Sequence, residues 1–292
     1  MFDSETLKKF RFLAIATRRA FDGRATGTRR SSQFGAGLEF ADFRNYAFGD
    51  DFRTIDWNAY ARLDALCVKR YQEDSNAPVY CFLDVSASMG RDADDPKFQY
   101  AKTVVGALAC ASLEQFDSVA AYAIDDKLEA SFPLARGRES FFALADFLDA
   151  QAPRNARTDL AAAVEETLKK IVKPGVAVLV SDCFDSQGLD AALEALLARK
   201  CDPIVLQIYA PEEAQPRALG DFELVDAETG ERRQIAVDES ILRRYQKRFA
   251  DFLEQTRASC VKRGVRRFAT SVDVPFEKFL MQVARNDAKA GR

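Results

Sequence analysis

The chain has 292 residues, of which 48% are hydrophobic, so it can bury a sizeable core as one large domain or as a medium domain with additions. Its 42 basic and 45 acidic residues give a net charge of −3, which provides no general attraction to nucleic acid or to an anionic membrane. Histidine is absent, which excludes Ser-His-Asp and Cys-His catalytic arrangements and every histidine metal ligand.

Residues 1–77 form an N-terminal segment in which the spacing of apolar residues is less regular than in the rest of the chain. Residues 1–22 predict a helix, because apolar residues recur on one side of it. Residues 23–77 are rich in glycine, aromatic and charged residues without a regular period, which favours loops with short strands and one helical turn. The apolar side of the first helix carries Leu7, Phe10, Leu13, Ala14 and Phe21.

From residue 78 onward, apolar strands alternate with stretches of helical spacing. PVYCFLDVS (78–86), GVAVLVSDCF (175–184) and CDPIVLQIYA (201–210) each predict a fully buried strand. SVAAYAI and LEASFPL flank the short turn DDK, which indicates a hairpin at one edge. The alternation predicts an α/β fold, with a doubly wound, mostly parallel sheet and one antiparallel edge strand.

The last third of the chain predicts an insertion and then the completion of the sheet. The segment at about 219–238 reads as a two-stranded hairpin with its turn at ETGE. A long basic helix over about 239–263 follows and ends at Gly264, before a strand and a final helix. We therefore predict two parts, an N-terminal segment at 1–77 and a main domain at 78–292 that contains the hairpin.

No stretch approaches the roughly 18–20 apolar residues that a membrane helix needs, so we predict no membrane span. The six cysteines form no C-x-x-C pair, which suits a reducing cytoplasm. Cys81, Cys183 and Cys201 lie in apolar strand-like runs and are interpreted as core thiols.

Oxygen-bearing side chains follow the predicted strands where those strands end. Asp84, Ser86 and Ser88 follow the first buried strand, and Asp182 follows the second. Thr158 opens a helix near the same edge, where ligands of parallel sheets bind. Two carboxylates and three hydroxyls describe a hard-cation site, for which Mg²⁺ fits best. Taken singly, Thr158 can instead be a helix N-cap and Asp182 a strand-end cap.

The D-x-S-x-S run, the T-x-L threonine and the S-D aspartate resemble the metal-ion-dependent adhesion site of von Willebrand factor A domains. The resemblance implies a Rossmann-like fold of that type, with Ser86, Ser88 and Thr158 contacting Mg²⁺ or Mn²⁺. Asp84 and Asp182 would act largely through waters, and a carboxylate of a partner would complete the coordination. Such a site serves interaction rather than catalysis.

The segment GLEFADFRNYAFGDDFRTIDWNAYARLDALCVKRYQE resembles the signature of the bacterial family called domain of unknown function 58. That family joins such a segment to a von Willebrand factor A-like domain, and the resemblance covers nearly the whole chain. Members are commonly linked to MoxR-type AAA+ ATPases, which implies an adaptor or co-chaperone role. Many members carry N-terminal membrane helices, which this sequence lacks.

Charged residues gather around one tryptophan within that signature. Arg53 can pair with nearby carboxylates while the indole covers the pair, which favours a structural plug over a docking surface for the ATPase. The cluster consists of Asp50, Asp51, Arg53, Asp56 and Trp57.

These observations lead to one leading hypothesis and two alternatives. The leading hypothesis is a non-enzymatic, cytoplasmic interaction protein that binds an acidic client through its cation and works with a MoxR-type ATPase. The alternatives are a metal-dependent hydrolase or phosphotransferase at the same site, and a structural domain whose site is empty. The basic residues at 243–267 are interpreted as a solvated helix face, ahead of an acidic partner or nucleic acid. The sequence leaves the oligomeric state open.

Overall fold

The computed structural model forms two compact units, Met1–Gly23 together with Ala77–Arg292, and Arg24–Asn76. The residues that it describes are 6, 9–10, 34–35, 39–47, 52, 55–63, 65–72, 78–115, 117–154, 158–226 and 231–290. Of the predicted helix at 1–22, Thr6, Lys9 and Phe10 are described and helical, and the remainder lies outside the described residues.

The smaller unit contains a three-stranded antiparallel sheet and one short helix. The Asp56 carboxylate caps this helix by accepting hydrogen bonds from the backbone N–H groups of Asn58 (2.8 Å) and Ala59 (3.2 Å). The central strand of the sheet is the third in sequence. The elements are β1 (Phe34–Gly35), β2 (Glu39–Asn45), α1 (Trp57–Leu63) and β3 (Cys67–Gln72).

The larger unit is built on a central six-stranded sheet with the order β11-β8-β7-β4-β5-β6. All neighbouring pairs are parallel except β5 and β6, which form the antiparallel edge that the sequence predicts. The strands of this sheet are β4 (Val79–Asp84), β5 (Ser118–Ile124), β6 (Leu128–Arg136), β7 (Val176–Ser181), β8 (Asp202–Tyr209) and β11 (Arg266–Ser271). The larger unit also contains β9 (Gly220–Val225) and β10 (Arg232–Val237), which lie outside this sheet.

Helices cover both faces of this sheet. Cys81 and Leu83 of β4 pack into one hydrophobic cluster with the helices at 96–114, 140–149 and 276–290. Tyr80 and Phe82 pack into a second cluster with the helices at 160–168 and 186–198. Because both faces are covered, every residue of β4 is buried, which explains its unbroken apolar run. The helices are α2 (Pro96–Glu114), α3 (Ser140–Asp149), α4 (Leu160–Leu168), α5 (Ser186–Ala198), α6 (Pro211–Ala214), α7 (Glu239–Lys262) and α8 (Phe276–Ala290).

The predicted hairpin is present as the separate pair β9 and β10, inserted between β8 and α7. The strands pair in register from Val225 with Arg232 to Gly220 with Val237, and residues 227–230 of the turn lie outside the described residues. Helix α7 ends before Gly264, whose φ of +69° is a left-handed conformation that favours glycine. The fold is therefore α/β, with a mostly parallel central sheet and one antiparallel edge.

A membrane-crossing helix would need both length and apolarity, and no helix in the described part of the chain has them together.

Candidate metal centre

The topology brings the ends of two neighbouring strands to one edge of the central sheet. Asp84 is the last residue of β4, and Asp182 directly follows β7, which pairs with β4 in parallel. Ser86 and Ser88 belong to the turn after β4, where residues 87–89 form one 3₁₀ turn. Thr158 lies two residues before α4.

Hydrogen bonds fold the turn after β4 so that its oxygen atoms face one another. The backbone N–H of Ser86 donates to Asp84 Oδ1 (2.9 Å). The hydroxyl oxygens of Ser86 and Ser88 lie 3.1 Å apart in a hydrogen bond. Ser181, the last residue of β7, donates its hydroxyl to Asp84 Oδ2 (2.5 Å) and accepts from the backbone N–H of Cys183 (2.8 Å). Ser181 thus joins the two strand ends directly.

Asp182 is buried and is held by three partners. Its Oδ2 accepts from Lys97 Nζ at 2.8 Å, and its Oδ1 accepts from the backbone N–H of Phe184 at 3.2 Å. Its backbone carbonyl accepts from the Gln207 side chain at 2.8 Å. The Phe184 contact is the local strand-end bond expected of a capping aspartate, whereas the Lys97 contact ties Asp182 to a distant helix.

Lys97, at the start of α2, is a member of the site that the sequence analysis missed. Its ammonium also lies 2.6 Å from Glu213 Oε1, 3.0 Å from the carbonyl oxygen of Ser88 and 5.3 Å from the centre of the Phe184 ring. Burial opposes the charged form, but the carboxylates of Asp182 and Glu213 outweigh it, and the pKa of Lys97 is raised. Lys97 is therefore a buried, charged ammonium.

Thr158 is half-buried and lines the same pocket as Ser88. The N-cap of α4 is Asp159, whose carboxylate accepts from the backbone N–H of Ala162 at 2.9 Å. The alternative interpretation of Thr158 as the helix cap is therefore wrong, because its neighbour has that role.

A pocket of about 1120 Å³ opens over these residues. Residues from separate elements line it, including Ser88, Lys97, Thr158, Phe184, Glu213 and Tyr245. Asp84, Ser86 and Asp182 do not line it and are each at most 2% exposed, but Ser86 and Asp182 are hydrogen-bonded to the lining residues Ser88 and Lys97. The hydroxyl groups of Ser88 and Thr158 are thus the part of the site that a molecule in the pocket can reach.

One buried carboxylate of the site lacks a counter-charge in the described part of the chain. Burial, followed by the nearby charge of Asp182, raises the pKa of Asp84 to about 6, against the hydrogen bonds from Ser181 and Ser86. Among the described residues, no basic side chain forms an ion pair with Asp84. Next to Lys97 lie two carboxylates, Asp182 and Glu213, and Asp84 is close to Asp182; the rest of the pocket lining adds charges of both signs, from Arg91, Arg233, Asp95, Asp185, Asp226 and Glu231. The hydroxyl and carboxylate donors, together with the buried charge of Asp84, fit one hard divalent cation.

A second acidic group lies in the turn between β5 and β6, where Asp125, Asp126 and Glu129 bring carboxylate oxygens within 4.8 Å of one another. The two Glu129 oxygens are each paired with a base, one with Lys127 at 3.1 Å and the other with Arg154. Both bases therefore serve Glu129, whereas Asp125 is buried with no hydrogen-bond partner at its Oδ2, and burial raises its pKa.

Further acidic residues lie in the loop between the 3₁₀ turn at 87–89 and the start of α2 at Pro96. Asp95 caps α2 by accepting from the backbone N–H of Lys97 at 3.0 Å, and Asp92 accepts from the backbone N–H of Asp94 at 2.9 Å. Asp95 is thus the N-cap of α2.

The cluster predicted around the tryptophan is described only in part. Asp50, Asp51 and Arg53 lie outside the described residues, so the predicted ion pair stays a prediction. Asp56 caps α1, and Trp57 is 62% exposed and packs edge-on against Tyr60.

Surface ion pairs accompany the basic residues of α7. Arg243 pairs with Glu239 (3.2 Å), and Arg257 with Glu254 (2.6 Å), as expected of a solvated helix face.

Solved structures that resemble this chain include two of bacterial proteins, both at low sequence identity. One is the conserved hypothetical protein BatB of Bacteroides thetaiotaomicron, with 15% identity, a TM-score of 0.45, and coverage of 73% of this chain and 99% of that one. The other is an aerotolerance-related membrane protein of Bacteroides fragilis, also at 15% identity, with a TM-score of 0.46 and the same coverage of each chain.

Sequence relatives are closer. The uncharacterized protein Rv1480 of Mycobacterium tuberculosis H37Rv is 25% identical over 242 residues, which cover 82% of this chain and 76% of the relative. The uncharacterized protein MAV169 of Mycobacterium avium is 31% identical over 88 residues, or 30% of this chain and 52% of the relative. The model of the family described as protein of unknown function DUF58 matches residues 42–255. The chain therefore belongs to the DUF58 family.

Proposed function

We propose that this chain is a non-enzymatic protein interaction module with a von Willebrand factor A-like domain. Its binding site holds Mg²⁺ or Mn²⁺ through the five residues at the edge of the central sheet. One observation carries the proposal: five oxygen-bearing side chains from three separate segments of the chain either line one pocket or lie at the buried strand ends that are hydrogen-bonded to its lining residues Ser88 and Lys97. These are Asp84, Ser86, Ser88, Thr158 and Asp182.

The charge of the site supports a divalent cation. A buried carboxylate without a counter-charge is costly, and in Asp84 that cost is visible as a pKa raised to about 6. A divalent cation beside Asp84 would supply the counter-charge that this carboxylate lacks among the described residues. A purely structural domain with an empty site would not supply it.

The arrangement of the nearby carboxylates favours binding over hydrolysis. A hydrolase or phosphotransferase would need a general base that can reach a substrate in the pocket. Asp185, which lines the pocket, already accepts from the backbone N–H groups of Gly188 (2.8 Å) and Leu160 (3.1 Å). Glu213 is bound to Lys97. Asp185 is therefore occupied as the N-cap of α5, and the charge of Glu213 is matched by the Lys97 ammonium, so neither is a free general base.

The partner that suits such a site carries an acidic side chain. A carboxylate is the ligand that an oxygen-bound divalent cation accepts from outside, and Ser88 and Thr158 face the pocket from which it would come. By family resemblance, we propose a MoxR-type AAA+ ATPase as the working partner of this chain, with an acidic client protein, in the cytoplasm.

Isothermal titration with MgCl₂ and MnCl₂ tests the cation site. Asp84→Asn removes the buried charge and keeps the shape of the side chain, so we expect affinity to fall by about tenfold or more. Asp92→Asn, in the loop beside the site, makes the same chemical change in an exposed residue and should leave affinity unchanged. Equal binding by the wild type and Asp84→Asn would falsify the assignment.

A second experiment separates interaction from catalysis. The purified chain and a MoxR-type ATPase are mixed with Mg²⁺ or with a chelator, and complex formation is followed by size-exclusion chromatography. We expect a complex that the chelator and Asp84→Asn both weaken. Metal-dependent turnover of phosphoester or peptide substrates that Asp182→Ala abolishes would favour the enzymatic alternative.

A further inference from the structure

Glu213 places a carboxylate of the chain itself in the pocket above the candidate metal centre. It lies in α6, a four-residue helix that follows β8 closely at the same edge of the sheet. Its Oε1 is 2.6 Å from Lys97 Nζ, and its Oε2 accepts from the backbone N–H of Ala210 at 2.7 Å. The Glu213 side chain is 25% exposed, whereas that of Lys97 is 4% exposed.

The hydrogen bonds of Lys97 show why Glu213 is the exchangeable partner. A lysine ammonium has three N–H donors. Here they meet the Ser88 carbonyl, Asp182 Oδ2 and Glu213 Oε1, so all three are used. The Ser88 carbonyl belongs to the backbone and Asp182 is buried. Glu213, on one short turn beside solvent, is the acceptor that can leave with the least disturbance.

We propose that Glu213 is a built-in substitute for the acidic side chain of the partner, and that the partner's carboxylate displaces it from Lys97. The partner's part in this exchange rests on the proposed function. The exchange of carboxylates on Lys97 itself does not require a metal.

The exchange balances in charge and in the hydrogen bonds of Lys97. One carboxylate leaves the ammonium and another arrives, so the buried Lys97 and Asp182 keep the same total charge around them. The cost is that of moving Glu213 into water, where a carboxylate is well solvated, and of breaking its hydrogen bond from the backbone N–H of half-buried Ala210. While Glu213 is in place, it lowers the apparent affinity for any other carboxylate, because only the fraction of molecules with a free Lys97 donor can bind. Lys97 is thus a specificity-determining residue for acidic partners.

Titration of ¹⁵N-labelled protein with N-acetyl-glutamate, followed by NMR, tests this exchange. Glu213→Gln removes the internal carboxylate charge, and Glu212→Gln removes the same charge from its exposed neighbour. With Mg²⁺ present, we expect the wild type and Glu212→Gln to bind the probe weakly and alike. Glu213→Gln should bind about five- to tenfold more tightly, with shifts at Ser88 and Phe184. Adding Lys97→Met to Glu213→Gln should remove the gain.

A parallel titration in chelator separates this inference from the proposed function. If the wild type binds no Mg²⁺, the proposed function fails, yet Glu213→Gln should still bind the probe more tightly than Glu212→Gln through Lys97 alone. Thermal unfolding of each variant checks that the fold is kept, and Glu213→Ala provides a second test of the same contact. Equal probe affinity of Glu213→Gln, Glu213→Ala and Glu212→Gln in both conditions overturns the inference.

Discussion

Two acidic groups in the larger unit each bury a carboxylate, but they differ in the side chains that surround it: Asp84 has the hydroxyl groups of Ser86, Ser88 and Ser181 close by. Around the β5–β6 turn, Lys127 and Arg154 both pair with Glu129, whereas Asp125 is buried and its Oδ2 has no hydrogen-bond partner. The candidate metal centre buries its carboxylates and provides one ammonium, Lys97. A cluster of acidic residues is therefore weak evidence for a cation site by itself. An uncompensated buried charge next to hydroxyl ligands is the stronger indication of a cation.

The largest expected effect comes from removing the one ammonium of the site. Lys97→Met leaves Asp182 and Glu213 without their ion pair, and breaking a buried pair in this way costs roughly 3–5 kcal/mol. Urea unfolding in chelator measures this loss, and added Mg²⁺ should restore part of it. If Lys97→Met unfolds like the wild type in chelator, the charge balance described for the site is wrong.

A smaller loss is expected from Ser181→Ala, which removes the hydroxyl shared by Asp84 and the backbone N–H of Cys183. Leaving these buried groups with one partner fewer costs roughly 1–3 kcal/mol. Because the Ser181 hydrogen bond lowers the pKa of Asp84, that pKa should rise further in the variant. Urea unfolding and the pH dependence of Mg²⁺ titration measure the two effects. Unchanged values of both would show that Ser181 does not support Asp84.

The pH dependence of stability provides a third test. The folded-state pKa of Asp84, about 6, lies above its ordinary value, so the native state favours the protonated form. Its contribution to stability is therefore present at low pH and is lost as the pH rises through about 6. The difference in unfolding free energy between Asp84→Asn and the wild type, measured in chelator, should shift in favour of the variant from pH 5 to pH 7.5. A pH-independent difference contradicts the raised pKa.

The smallest effect is expected from the acidic group around the β5–β6 turn, with which Arg154 forms an ion pair. Arg154→Gln breaks an ion pair with Glu129 in which the Arg154 side chain is 52% exposed, and such pairs contribute roughly 0–1 kcal/mol. Urea unfolding should show this small change, and Mg²⁺ titration should show none. A loss comparable to that of Lys97→Met would remove the distinction between the two groups.

Much of the fold was predictable because a strand that is buried on both faces of a sheet consists almost entirely of apolar residues. The unbroken apolar runs of β4 and β7 predicted central parallel strands, and the polar residues after them marked the edge where the site lies. Lys97 and Glu213 were not predictable, because their contacts with the site join residues 85 and 116 positions apart. Nothing in the local pattern distinguishes Glu213 from Glu212, and only the packing of α2 against the strand ends gives Lys97 its role.

The most direct test of the central claim is anomalous diffraction from crystals grown with Mn²⁺. We predict one strong peak among the hydroxyl oxygens of Ser86, Ser88 and Thr158, and none at Asp125, Asp126 and Glu129. A peak at the β5–β6 turn without one at the strand ends, or no peak at either group, would contradict the account.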